Sequence, residues 1–120
     1  MTARSIEELF QRGIDLFNEG RFFDCHEAWE QAWLRSGGCE KLFYQGMIQA
    51  AVAILHAQRG NLAGSRTLWE KARDKLGPLP ADYKAIALDE LRRRLEEFFD
   101  QALSGAIPPD RPPKIERVTG

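Results

Sequence analysis

The residues best suited to chemistry stand in one short run, His26-Glu27-x-x-Glu30. It begins like the His-Glu-x-x-His helix of zinc proteases, where two histidines four apart bind metal and the glutamate acts as base. Glu30 replaces the second histidine, and no downstream ligand has the required spacing, so the protease set is incomplete. At about 100° per residue, His26 and Glu30 lie roughly 40° apart, on the flank of a stripe formed by Phe22, Trp29 and Trp33. Glu27 points away from that stripe, toward solvent. A second polar stripe, Gln45, Gln49 and His56 with Val52 among them, falls within about 40° on an otherwise apolar helix. Polar groups on such a helix need partners. The candidate cluster is therefore His26, Glu30, Gln45, Gln49 and His56.

Three chemistries compete for that cluster. One is a buried polar network in which Glu30 or a glutamine orients each histidine and sets helix register. Another is a ligand pocket between helices, with apolar walls and a few converging polar groups. The third is a divalent-metal site in which His26, Glu30 and His56 are ligands and one position stays open. A di-iron bundle is disfavoured, because no paired Glu-x-x-His motifs accompany the histidines. There is no glycine-rich phosphate loop and no Gly-x-Ser-x-Gly elbow. Cys25 and Cys39 lack metal-knuckle spacing, and neither has a base in its own motif. The three tryptophans read as core residues.

Helical signals dominate the elements that must position these groups. The spacing predicts a first helix over Ser5–Asn18, with Ser5 and Glu8 as a capping box and Gly20 as its stop. Further helices are expected over Phe22–Leu34, Glu40–Gln58, Leu62–Leu76 and Ala81–Leu103. The third is apolar on nearly every side from Met47 to Leu55, which predicts a central, buried position. Gly77-Pro78-Leu79-Pro80 breaks the fourth from the fifth. Arg92-Arg93-Arg94, set among acidic residues three and four apart, reads as a solvated face. Residues 104–120 contain Pro108, Pro109, Pro112 and Pro113 and are expected to be an extended tail beyond a single domain of residues 1–103. Such a tail could dock on the chain's own surface or on a partner.

The chain repeats itself at a shift of 40 residues. Ile14, Gly20, Trp29, Glu30 and Ala32 recur as Ile54, Gly60, Trp69, Glu70 and Ala72. The spacing Gly20-x-Phe22-x-x-Cys25-x-x-x-Trp29-x-x-Ala32 returns as Gly60-x-Leu62-x-x-Ser65-x-x-x-Trp69-x-x-Ala72. This is similar to the tetratricopeptide pattern, in which small residues let antiparallel helices cross closely and an aromatic fills the gap. Two repeats fall short of the three or so that usually stand alone. The fifth helix is then the cap that closes the open face. The expected fold is all-α, with two tetratricopeptide-like hairpins plus that capping helix.

A wider resemblance rests on Phe17-Asn18-Glu19-Gly20-Arg21-Phe22-Phe23-Asp24-Cys25-His26-Glu27-Ala28-Trp29-Glu30, on Gln45-Gly46-Met47-Ile48-Gln49-Ala50-Ala51, and on Arg59 through Arg66. Across roughly Ile6 to Leu76 the chain resembles the small bacterial and archaeal family called domain of unknown function 309. Ser65 stands where that pattern leads one to expect alanine. The resemblance implies a small all-helical fold and no activity.

Charge and composition set the outer limits. Seventeen Lys+Arg against 18 Asp+Glu give a net charge of -1, without the basic footprint of a nucleic-acid or acidic-membrane binder. Hydrophobic residues at 43% and charged residues at 29% fit a globular rather than a disordered chain. Met1–Glu8 lacks the features of a signal peptide, and the apolar run Ala50–Leu55 is far short of the ~20 residues that span a bilayer. These features predict a cytoplasmic protein. The expected function is a non-catalytic protein- or small-ligand-binding module, acting with a protein partner or as a homo-oligomer. The alternative is a small metal-dependent enzyme with a His/Glu site between the second and third helices.

Overall fold

The computed structural model of the chain describes residues 4–118. Residues 1–3 at the polar start and 119–120 at the end of the expected tail lie outside the described residues. The described chain is mostly helical, with five helices and one small two-stranded sheet. Among the described residues, no helix is long and apolar enough to cross a membrane.

α1 spans Ile6–Asn18 and opens on the expected capping box: Ser5 Oγ accepts the Glu8 N–H at 3.1 Å, and Glu8 Oε1 accepts the Ser5 N–H at 3.4 Å. Gly20, at φ +79°, turns the chain into α2, Phe22–Leu34. α3 runs from Gly38 to Gln58, starting two residues before the expected Glu40. Gly60, at φ +82°, repeats the first turn and leads into α4, Leu62–Leu76, capped by Asn61 Oδ1 on the Gly64 N–H at 3.0 Å. Successive helices pack on one another from α1 through α4, so the repeat forms two joined hairpins.

The crossings explain the small residues. A Cβ on Gly13 would stand 1.9 Å from Trp29 Nε1, so only glycine lets α1 and α2 approach this closely. The close approach also lets the Trp29 indole donate to the Phe10 carbonyl at 3.2 Å. In the second hairpin Ala53 occupies the position of Gly13 in the repeat. There Ser65 Oγ donates to the Ala53 carbonyl at 2.7 Å. Trp69 lies instead on Phe99, the rings stacked at 4.7 Å and 19°, and its Nε1 finds no partner.

The fifth helix departs from expectation at its start. α5 covers Leu88–Leu103, not Ala81–Leu103. Ahead of it, β1 (Asp82–Tyr83) pairs antiparallel with β2 (Ile86–Ala87), joining Asp82 to Ala87 and Tyr83 to Ile86. The turn residues Lys84 and Ala85 have φ of 49° and 59°, the handedness a two-residue hairpin needs. No glycine or asparagine signals that turn in the sequence. Long-range contacts hold it: Tyr83 lies 4.9 Å from the Phe43 ring, Lys84 Nζ pairs with Glu40 Oε1 at 3.1 Å, and Ile86 is buried. α5 carries the expected stripe of Leu88, Leu91, Leu95, Phe98 and Phe99 into the core. Ile115, beyond α5, joins the same core.

Candidate functional site

Five residues define the cluster expected from the sequence, two of them on α2 and three on α3. His26 sits in the second turn of α2, its Nε2 3.4 Å from Glu30 Oε2 one turn on. Their side chains are 31% and 50% exposed. At that exposure the contact contributes little, about 0.5 kcal/mol at most. The Phe23 ring lies 6.1 Å from the imidazole and faces solvent. Glu27 is exposed, as its angle predicts.

On α3, Gln45, Gln49, Val52 and His56 are all half-buried. They form the polar stripe that keeps this helix from being buried all round. Gln49 Oε1 is buried without a hydrogen-bond partner. His56, in the last turn of α3, turns to the loop: its Nδ1 lies 3.4 Å from Asn61 Nδ2, while its carbonyl accepts the Asn61 N–H at 2.8 Å. His56 therefore supports the Gly60 turn and the cap of α4. Near the other end of α3, Lys41 Nζ stands 4.2 Å over the Trp33 ring and donates to the Trp33 carbonyl at 3.3 Å.

The structure thus brings His26 to Glu30 and His56 to Asn61, and it does not join the two pairs. The expected metal set of His26, Glu30 and His56 is not gathered: among the described residues, no group of three or more His, Cys, Asp or Glu side chains could hold a metal ion. The reason is axial. His56 belongs to the end of α3 at the Gly60 turn, where Asn61 is the nearest polar partner, whereas Glu30 shares a helix with His26. Surface hollows lie elsewhere. One of about 220 Å³ is lined by Arg12, Arg21, Asp24 and Glu27, and another of about 240 Å³ by Arg66, Trp69, Arg73 and Phe99.

Two polar groupings were not legible in the sequence. Arg92 is not part of a solvated face, for only 18% of its side chain is exposed. Its Nη1 donates to the carbonyls of Leu76, Gly77 and Leu79, tying α5 to the end of α4. Arg93 and Arg94 behave as expected, pairing with Glu90 and, for Arg93, Glu97. The second grouping surrounds Tyr44. Burial, with the Glu40 carboxylate next in weight, pushes its phenol up, and burial does the same to Tyr83. Lys84 Nζ lies 5.1 Å from the Phe10 ring above this group. Tyr44 is fully buried, so its hydroxyl is out of reach of any substrate in this conformation. Arg92 reaches carbonyls 13–16 residues back along the chain, and Lys84 reaches Glu40 across 44 residues, separations that helical periodicity does not reveal.

Residues 10–68 match the family described as Domain of unknown function (DUF309). An uncharacterized protein of Aquifex aeolicus is 31% identical over 93 residues, covering 77% of this chain and 28% of that protein. The Bacillus subtilis uncharacterized protein YpuF is 33% identical over 66 residues, covering 54% of this chain and 36% of that protein. The chain therefore spans well under half the length of either relative. The match runs from Phe10 in α1 to Leu68 in α4 and takes in both glycine turns, so it is this four-helix stretch of the chain that is similar to the DUF309 family.

Proposed function

We propose that this chain is a non-catalytic protein-interaction module that meets its partner with the outer face of α2 and α3. The observation that supports the reading is that three large apolar side chains of these two helices are left in solvent. Phe23 and Leu34 of α2 are 56% and 65% exposed, and Leu42 of α3 is 45% exposed. Phe23, Glu30 and Leu34 fall within about 40° of one another on α2. On α3, Leu42 heads the stripe of Gln45, Gln49, Val52 and His56. Large apolar side chains held in solvent among polar ones are what a docking face presents. An aromatic anchor with a polar rim is the usual anatomy of such a face. In this reading the His26–Glu30 pair is part of the rim and carries out no reaction.

The test compares wild-type chain with the double variant Phe23→Glu, Leu34→Glu in affinity capture, followed by reconstitution with the purified partner. Both positions are solvent-exposed, so stability should change by no more than about 0.5 kcal/mol each. The expected result is a folded variant that no longer forms the complex. A complex formed equally by both proteins overturns the reading. So does a divalent metal that raises the thermal midpoint in wild type but not in His26→Ala, which would restore the metal-enzyme alternative. Metal at a hundred times its dissociation constant would add about 2.7 kcal/mol, a shift easily seen.

A further inference from the structure

Asn18 closes α1, and its carboxamide also holds the far end of the chain. Its Nδ2 donates to the Ile115 carbonyl at 2.9 Å, while its Oδ1 accepts the Ile115 N–H at 2.7 Å. A carboxamide offers a donor and an acceptor side by side, as a peptide unit does. The N–H and C=O of one residue point the same way only where that residue is extended, so Asn18 grips Ile115 as a neighbouring strand would. The grip reads main chain and no side chain.

Gln58 closes α3, and its Nε2 donates to the Pro109 carbonyl at 3.0 Å. Asn18 and Gln58 are equivalent in the 40-residue repeat, and each stands two residues before a left-handed glycine. Both hairpin turns thus present a carboxamide at one register, and both carboxamides hold main chain of the same segment. Pro109 and Asp110 form a turn and the chain straightens from Arg111 on, so the run from Pro109 to Ile115 reaches at most about 20 Å. That is enough to pass between hairpins whose neighbouring helices pack about 8–10 Å apart.

Side chains add selectivity at two points. Ile115 is 3% exposed within the core. Arg117 lies 4.7 Å over the Phe10 ring and donates to the Lys84 carbonyl at 2.7 Å, Gln11 Oε1 at 3.0 Å and Glu7 Oε1 at 2.9 Å. Arg117 also bridges antiparallel to Ile86, and the Val118 N–H donates to the Ala85 carbonyl at 2.7 Å. The segment therefore adds to the edge of β2, a common way for a sheet to take up a peptide. A hollow of about 370 Å³, lined by Phe17, Gly20, Pro112 and Pro113 among others, lies along its path.

We propose that the hairpin turns of α1 and α3, with the edge of β2, form a docking groove for an extended peptide of a partner protein, and that residues 109–118 fill this groove in cis. The peptide it fits carries proline, then an aliphatic residue, then arginine two positions on. Carboxamide and strand-edge contacts transfer to any main chain, so the aliphatic and arginine positions select the partner. A tethered segment acts at an effective concentration in the millimolar range, so the partner gains access as the resident segment loosens. The groove is separate from the α2–α3 face and is tested independently of it.

The test uses the full chain bearing Ile115→Asp and Arg117→Ala, which disables the resident segment and leaves Asn18 and Gln58 in place. The probe is a fluorescein-labelled peptide of native residues 106–118, followed by anisotropy. The variant should bind it at least about tenfold more tightly than wild type does, and adding Asn18→Ala should remove that gain. A folded variant that ignores the peptide overturns the proposal, as does binding that Asn18→Ala leaves untouched. A wild-type dimer that the two tail substitutions dissociate overturns the partner-peptide occupant in favour of exchange between two copies. If the substitutions unfold the chain, hydrogen exchange on wild type decides. An Ile115 amide that exchanges through a local opening, faster than the core amides of α3, supports a displaceable segment; exchange only on global unfolding overturns it.

Discussion

Single residues here differ sharply in what they hold. Gly13 is the tightest contact in the first hairpin, since an added Cβ would meet the Trp29 indole. Gly13→Ala should destabilise by about 1–3 kcal/mol or more by forcing the helices apart, as read by urea denaturation. Ala53 at the equivalent place shows how the second hairpin does without that approach, at the expense of the Trp69 N–H, which is left unpaired. His26 is the opposite case. Partly exposed and paired only within its own helix, it should lose no more than about 0.5 kcal/mol as His26→Ala. Trp29→Ala, measured beside it, should lose about 3–5 kcal/mol, because a fully buried aromatic leaves a cavity. A His26→Ala loss near that of Trp29→Ala would mean that the imidazole holds a buried network after all.

Elements differ in how much of their stability is local. α1 and α4 begin on side-chain caps that any reader of the sequence can find, Ser5 and Asn61. The β1–β2 hairpin is the reverse, with two non-glycine residues in left-handed conformation. Ala85→Gly should relieve that backbone strain and raise stability by about 0.5–1 kcal/mol, visible as a shifted denaturant midpoint. On α5, hydrogen bonds from Arg93 and then Arg94 hold the Glu90 carboxyl down at about 2, from an ordinary 4.5. A carboxyl whose folded value is depressed favours the native state above its unfolded value, and that contribution is lost as pH falls from about 4.5 toward about 2. Glu90 is half-buried with its carboxylate open to water, so salt should weaken the effect. Thermal midpoints of wild type and Glu90→Gln should differ at neutral pH and low salt, then converge near pH 2. A gap that persists in acid would assign the effect to something other than the carboxylate.

At the scale of the whole molecule, two of the long-range ties between the hairpin repeat and the C-terminal part of the chain stand out. One is Arg92, whose guanidinium gathers the carbonyls that end α4. Arg92→Met keeps the stem but leaves those carbonyls unpaired, and should cost about 1–3 kcal/mol, with the loss appearing first in hydrogen exchange between α4 and α5. The other is the segment through Ile115 and Arg117, which links the end of the chain to α1 and to β2. Four helices, their glycine turns, the 40-residue repeat and the match to DUF309 were determined by the sequence itself. Periodicity, caps and left-handed glycines act within a few residues and are written where they act. The tertiary structure alone decided that Tyr83 and Ile86 form a hairpin and not a helix, because Phe43 and Glu40 hold it from far along the chain. It alone separated His26 from His56, which helical angles had placed on facing stripes, since an angle fixes a face but not a height along the axis. It alone set Asn18 and Gln58 on one segment of main chain, because a hydrogen bond across 97 residues depends on the packing of everything between them.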